Sequence, residues 1–247
     1  MKIQVLQFIK VDPDFRFKQF SVWHNQCAMK VGTDAVLLGA WVNIGHVSTV
    51  LDVGTGCGII ALMCAQRSTA TIDAVEIDQS AFEQARENFH KSTWNERITA
   101  HYDSFRNFAS SCTKMYDVVV SNPPFFRSSL KPPDALRSTA RHDERLNYES
   151  LLFFSRKLCT DTGKLALIIP AGDAGYFTDK AFFSGFHMVR KTMVCSHKGR
   201  SPVRCMLELS GVITSDCITN ELCIRKERSN EYTDEYIELT REFYLHM

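Results

Sequence analysis

From Val50 onward the chain alternates short β-branched runs with amphipathic stretches, and this alternation limits the sheet it can build. Val50–Val53, Thr71–Ile77, Ile98–Tyr102, Tyr116–Ser121 and Lys164–Ile169 read as strands. Ile59–Gln66, Gln79–Lys91, a short piece near Phe105–Ser110, Tyr148–Cys159 and Asp173–Phe183 read as helices, with Phe82, Ala85 and Phe89 on one stripe of the second. Gly163 is placed to stop the helix that precedes it. Strands separated by helices pair in parallel through right-handed crossovers. Later, His187–Cys195 and Val203–Ile213 flank a polar, glycine- and proline-containing loop and read as an antiparallel pair. The expected fold class is therefore α/β, a doubly wound and mainly parallel sheet.

Ahead of this core lies a cap, with an aromatic strand around Phe15–Trp23 and a helix from Asp34 to Trp41 that Thr33 is placed to N-cap. Beyond Ile213 come a strand-like Leu222–Arg225 and a closing helix, Thr233–Phe243. No repeat or low-complexity linker interrupts the chain, so one domain is expected: a cap over 1–46, a core over 47–213 and an extension over 214–247.

The first core strand ends in Asp52-Val53-Gly54-Thr55-Gly56-Cys57-Gly58 and runs straight into a helix. Glycines at alternate positions let the backbone turn sharply and let a ligand lie against it. Ile59 stands where a dinucleotide fingerprint would need its third glycine, which disfavours a pyrophosphate and favours a nucleoside bearing an amino acid. Glu76, at the tip of the next strand, is placed to accept both ribose hydroxyls, and Asp103, followed by Ser104, to accept from an adenine amino group. All these positions fall at carboxyl ends of successive strands, where open α/β sheets bind ligands. The cofactor they imply is S-adenosyl-L-methionine.

The fourth core strand ends in Asn122-Pro123-Pro124-Phe125. The Asn122 side-chain oxygen and the Pro123 carbonyl offer two acceptors to the two N–H bonds of a planar –NH₂ group. Proline lacks an N–H, so the turn is not drawn back into the sheet. Phe125 adds a flat face on which a base can stack. An exocyclic amine of a base and a side-chain amide present the same two bonds, so the motif accepts either.

Composition narrows the setting. The net charge of +1 excludes a uniformly basic nucleic-acid binder, so any such contact needs a local patch. Nine scattered cysteines without a CxxC pair argue for free thiols in a reducing compartment and against a zinc site. No apolar run approaches a membrane span and no leader is legible, so a cytoplasmic protein without a metal is expected.

Together these residues resemble the bacterial tRNA(Val) adenine N6-methyltransferases. The likeness runs over nearly the whole chain, including Phe17-Lys18-Gln19-Phe20, Cys27–Asp34, Leu37–Trp41 and the ending around Tyr236, Leu239-Thr240 and Phe243–Leu245. It implies a seven-stranded class I methyltransferase sheet, methyl transfer to the N6 of adenine 37 beside the anticodon, a tRNA partner and a monomer. It also implies that Lys30 and Thr33 sit near the methionine end of the cofactor. Phe125 is shared with guanine-N2 methyltransferases of ribosomal RNA. The Asn-Pro-Pro-aromatic turn is shared with protein glutamine-N5 methyltransferases, whose larger N-terminal domain this chain has no room for. A non-catalytic cofactor-binding RNA module is the alternative outside enzymes.

For RNA, the stretch from Phe186 to Leu207 contains no acid but carries Arg190, Lys191, Lys198, Arg200 and Arg204. A second cluster after the turn holds Arg127, Lys131, Arg137, Arg141 and Arg145. Both are expected on the rim that carries the site, where cations supply affinity without reading sequence.

Overall fold

The computed structural model describes residues 15–124, 146–214 and 216–247, and in them the alternation produces one eight-stranded sheet and a separate two-stranded hairpin. The hairpin pairs β1 (Phe15–Arg16) with β2 (Ser21–Val22), so the single aromatic strand expected in the cap is two short ones. Helix α1 (Thr33–Trp41) follows. The core then runs β3 (Thr49–Val53), α2 (Ile59–Arg67), β4 (Thr71–Glu76), α3 (Gln79–Lys91), β5 (Ile98–Tyr102), α4 (Phe105–Ser111) and β6 (Tyr116–Ser121). After the turn come α5 (Tyr148–Leu158), β7 (Cys159–Pro170), α6 (Ala174–Phe183), β8 (His187–His197), β9 (Arg204–Ser210), β10 (Ile218–Arg225) and α7 (Asp234–Thr240).

The strand order is β10-β8-β9-β7-β6-β3-β4-β5, and only β9 runs against the rest. The expected antiparallel pair is present, but β9 is inserted between β7 and β8 rather than lying at the edge. An eighth strand, β10, joins beyond β8 in parallel, so the C-terminal strand extends the main sheet. Successive residues of β3 and β6 point to opposite faces. Val50, Val118 and Val120 enter the core beneath α1, α2 and α3, and Leu51, Val53 and Val119 the core beneath α4, α5 and α6.

Two glycine and capping expectations change. Thr33 is the first residue of α1 and does not cap it; the N-cap is Gly32, and no side chain bonds there. Gly163 does not end a helix. α5 stops at Leu158, and Gly163 lies inside β7 where the β6–β7 register slips between Tyr116 and Val118. A Cβ at Gly163 would come within 2.8 Å of the Tyr116 carbonyl oxygen, so the glycine permits a close backbone approach at a bulge.

Half-buried cations finish the chain ends that helices leave open. Arg67 donates to the carbonyls of Gly39 and Val42 at 2.8 Å each, satisfying the end of α1. Arg190 donates to the Trp41 carbonyl and to Glu208, and stacks 3.7 Å from the Trp41 ring centroid. Arg190 is therefore part of the packing between α1 and the sheet, which removes it from the expected RNA cluster.

Candidate active site

The strand order reverses between β3 and β6, which is where open α/β sheets leave a crevice. Val53 and Ser121 are register partners there, so the glycine turn after β3 and the proline turn after β6 leave the sheet side by side. A cleft of about 300 Å³ lies against them. It gathers Lys30 and Thr33 from the cap, Gly54 and Gly56 from the glycine turn, and Asn122 from the proline turn.

The glycines of the turn adopt conformations that residues with a Cβ avoid: Gly54 has φ of 70°, Gly56 of 57° and Gly58 of 84°. Among the described residues, a Cβ on Gly54 or Gly56 would meet no atom within 4 Å, so the space beside them is open for a ligand. Gly58 has a different reason. It is the N-cap of α2, and a Cβ there would fall 2.4 Å from the Phe89 ring.

Two acids hold the turn from below. Asp52 is fully buried, and its Oδ2 accepts from the Thr55 hydroxyl at 2.6 Å and the Ala61 amide at 3.2 Å, while Oδ1 has no partner among the described residues. Burial pushes its pKa up to about 7, against the pull of those two bonds. Glu76 Oε2 accepts from the Gly56 amide at 2.8 Å, and Oε1 accepts from the amides of Ile77 and Asp78 at 2.9 Å each. With three amides on its two oxygens, Glu76 braces the loop and retains acceptor capacity chiefly on Oε2.

The remaining expected residues sit farther along the rim. Asp103 follows β5 and takes the Ser104 amide on Oδ1 at 2.8 Å; the Ser104 hydroxyl caps α4 by accepting from the Asn107 amide. Neither lines the cleft. Pro123 is buried and Pro124 exposed. Phe125, Arg127, Lys131, Arg137, Arg141 and Arg145 lie outside the described residues.

Asn122 is the chemically exposed member. Its Oδ1 is buried and has no hydrogen-bond partner among the described residues, and the residue lines the cleft. A buried amide oxygen without a donor costs about 1–3 kcal/mol, and a ligand N–H would offset that cost. The open glycine turn, the braced acids and this orphan acceptor together fit a nucleoside-type cofactor facing an –NH₂ group.

Sequence reasoning missed Asn88. This buried residue accepts from the Trp23 amide and donates to the carbonyls of Trp23 and Cys57, clamping the cap to the glycine turn. Its position on the inner face of α3 was the available signal. Missed too were Met29, Asp34, Thr55 and Cys57, which line the cleft.

Of the cation cluster, Lys198 and Arg200 are exposed in the loop after β8, on the rim carrying the carboxyl ends of the parallel strands. Arg204 instead pairs with Asp34 at 2.8 Å, joining β9 to α1. Among the described residues one trio has metal-ligating atoms grouped within 4.8 Å: Cys195, Glu221 and Cys223 on β8 and β10. None of the three lines the cleft.

The methyltransferase small domain family matches residues 27–142. A Bacteroides fragilis protein named tRNA1(Val) (adenine(37)-N6)-methyltransferase is 44% identical over 95% of this chain and 99% of its own length. Proteins of the same name from Trichodesmium erythraeum and Edwardsiella ictaluri are 43% and 41% identical, each over 94% of this chain and over 97% and 93% of their own. Among solved structures, a predicted O-methyltransferase of Agrobacterium tumefaciens superposes with a TM-score of 0.67 at 18% identity, over 85% of this chain and 96% of that one. A ribosomal protein L11 methylase of Lactobacillus delbrueckii gives 0.50 at 18% identity, over 71% and 76%. The sheet is that of the class I methyltransferases. On identity and near-complete mutual coverage, the chain belongs to the tRNA1(Val) (adenine(37)-N6)-methyltransferase family of enzymes.

Proposed function

We propose that this protein transfers a methyl group from S-adenosyl-L-methionine to the exocyclic N6 of adenine 37 in tRNA1(Val), the reaction for which its relatives are named. The observation that carries this reading is Asn122, which lines the cleft beside the open glycine turn and whose Oδ1 has no partner among the described residues. The free thiols of all nine cysteines suit a cytoplasmic setting.

The donor, when bound, supplies a methyl group on a positively charged sulfur. The chain's contribution is positioning. Gly54 and Gly56 give the backbone a surface without side chains, and Glu76 holds Gly56 in place while Oε2 keeps room for one ribose hydroxyl. An exocyclic amine is a poor nucleophile because its lone pair is delocalised into the ring. Accepting one N–H at Asn122 Oδ1 and the other at the Pro123 carbonyl favours a pyramidal nitrogen and frees that pair. Holding nitrogen and carbon in line can supply about 7–11 kcal/mol through effective molarity. The proton becomes acidic as the methyl group arrives, so no strong base is required.

The test is to incubate the protein with isotope-labelled donor and unmodified bulk RNA, then identify the methylated nucleoside by mass spectrometry. N6-methyladenosine in the tRNA fraction is the expected product. N2-methylguanosine in ribosomal RNA, or label in protein glutamine, would replace the substrate assignment, and no label anywhere would leave only cofactor binding.

A further inference from the structure

A second cavity, of about 620 Å³, opens beside the cleft and shares Thr33 with it. The topology brings its walls together from distant parts of the chain: His197 at the end of β8, Arg225 at the end of β10, Phe15 of the hairpin, and Tyr232, Tyr236 and Tyr244. Both strand ends lie on the rim that carries Gly54 and Asn122, because β8 and β10 run in the same sense as β7. Arginine and histidine side chains line the cavity, and among the described residues no aspartate or glutamate does.

Its rings and cations are already in contact. The Arg225 guanidinium lies 4.7 Å from the Tyr232 centroid, and the Tyr232 and Tyr236 rings are 5.0 Å apart. The Lys198 amide donates to the Arg225 carbonyl at 2.9 Å. The cavity wall is thereby tied to the base of the loop that presents Lys198 and Arg200.

Flat rings with flanking cations match a base together with its phosphate. A purely apolar ligand would strip water from Arg225 and His197 without replacing it. A bare anion would leave the tyrosines unused. Any base has a π-face, so stacking here tolerates sequence.

We propose that this cavity holds an unpaired nucleotide of the RNA substrate neighbouring the target base, its ring among Tyr232 and Tyr244 and its phosphate at Arg225. The proposal rests on the RNA reading above and extends it. Turning a base into an active site breaks its stacking on its neighbours, and a stacking site next door offsets that loss.

The experiment measures steady-state kinetics on an unmodified anticodon stem-loop RNA, with single abasic substitutions flanking the target. Tyr232→Ala should raise KM for RNA roughly tenfold and leave kcat and donor affinity in place, with Tyr232→Phe restoring KM. Arg225→Gln should also raise KM and lower its salt dependence, which keeps the test open should the Tyr232 variant fold poorly. One abasic position should weaken the wild-type enzyme yet add nothing to Tyr232→Ala. Unchanged KM in both variants, or fully additive penalties at every abasic position, overturns the cavity assignment alone. A wild-type protein that methylates no RNA overturns the substrate reading and this proposal with it.

Discussion

The Ser121 hydroxyl donates to the Val53 carbonyl oxygen at 2.9 Å, fastening the last residue of β6 to the last residue of β3. The next residues in the chain are Asn122 and Gly54, so this buried bond sets the separation between the amide proposed to bind the target and the turn proposed to hold the cofactor. A short, low-entropy crossbar is what positioning catalysis requires, because small displacements of the reacting atoms are costly.

Asn122→Ala is expected to lower kcat by about 10²–10³, the scale of losing one preorganised partner to the reacting group. Donor affinity, read by calorimetry, should stay close to that of the wild type. An Asn122→Ala enzyme with full turnover would remove the amide from the mechanism.

Replacing Glu76 with Ala should weaken donor binding by roughly 1.5–3 kcal/mol, the worth of a charge-assisted hydrogen bond. The structure adds a second expectation. Glu76→Gln should be little better, because satisfying Ile77 and Asp78 with its oxygen turns its –NH₂ toward the Gly56 amide, donor against donor. Faster hydrogen exchange at Gly56 in both variants is the check.

Asp52 gives the stability a pH dependence. Its folded pKa is raised from the ordinary 3.8 to about 7, so the native state holds a proton that the unfolded chain has released. Stability should therefore fall as pH rises from about 4 to 7 and level off above, by up to about 4 kcal/mol from this group. Asp52→Asn should flatten that slope in denaturant titrations. The same slope in the variant would assign it to another group.

Reversing Lys198 and Arg200 to Glu should raise KM for RNA and flatten its salt dependence while the fold is retained, since both side chains are exposed. Arg204→Glu is a different case. It would place a carboxylate beside Asp34 and separate β9 from α1, so a lower melting temperature is expected to accompany any kinetic change.

The local features were the legible ones. Strand–helix alternation, the glycine turn and Asn122 are each written in a few consecutive residues, and the structure places them at the reversal between β3 and β6. What escaped was pairing over distance. Arg204 meets Asp34 across 170 positions and Asn88 meets Trp23 across 65, and neither partner marks the other in sequence. β10 was only half visible because Ile218–Glu221 lie exposed on an edge and carry no burial pattern; Leu222 alone is buried. Gly163 looked like a helix stop because a glycine after an amphipathic run has that meaning locally. Its actual cause, the nearby Tyr116 carbonyl, sits on another strand.

The cap that carries Lys30 and Thr33 is seated in part on the segment around Phe243 and Tyr244. The Lys18 amide donates to the Phe243 carbonyl at 2.8 Å, and the Phe17 ring packs 5.9 Å from Tyr244. While a ribosome is still adding β10 and α7, the earlier strands can pair, Asn88 can hold Trp23 and Phe20 can meet Trp94, but Phe17 lacks its seat on Tyr244. The cap beside the cleft is thus fully braced only once α7 and the segment after it have emerged from the ribosome.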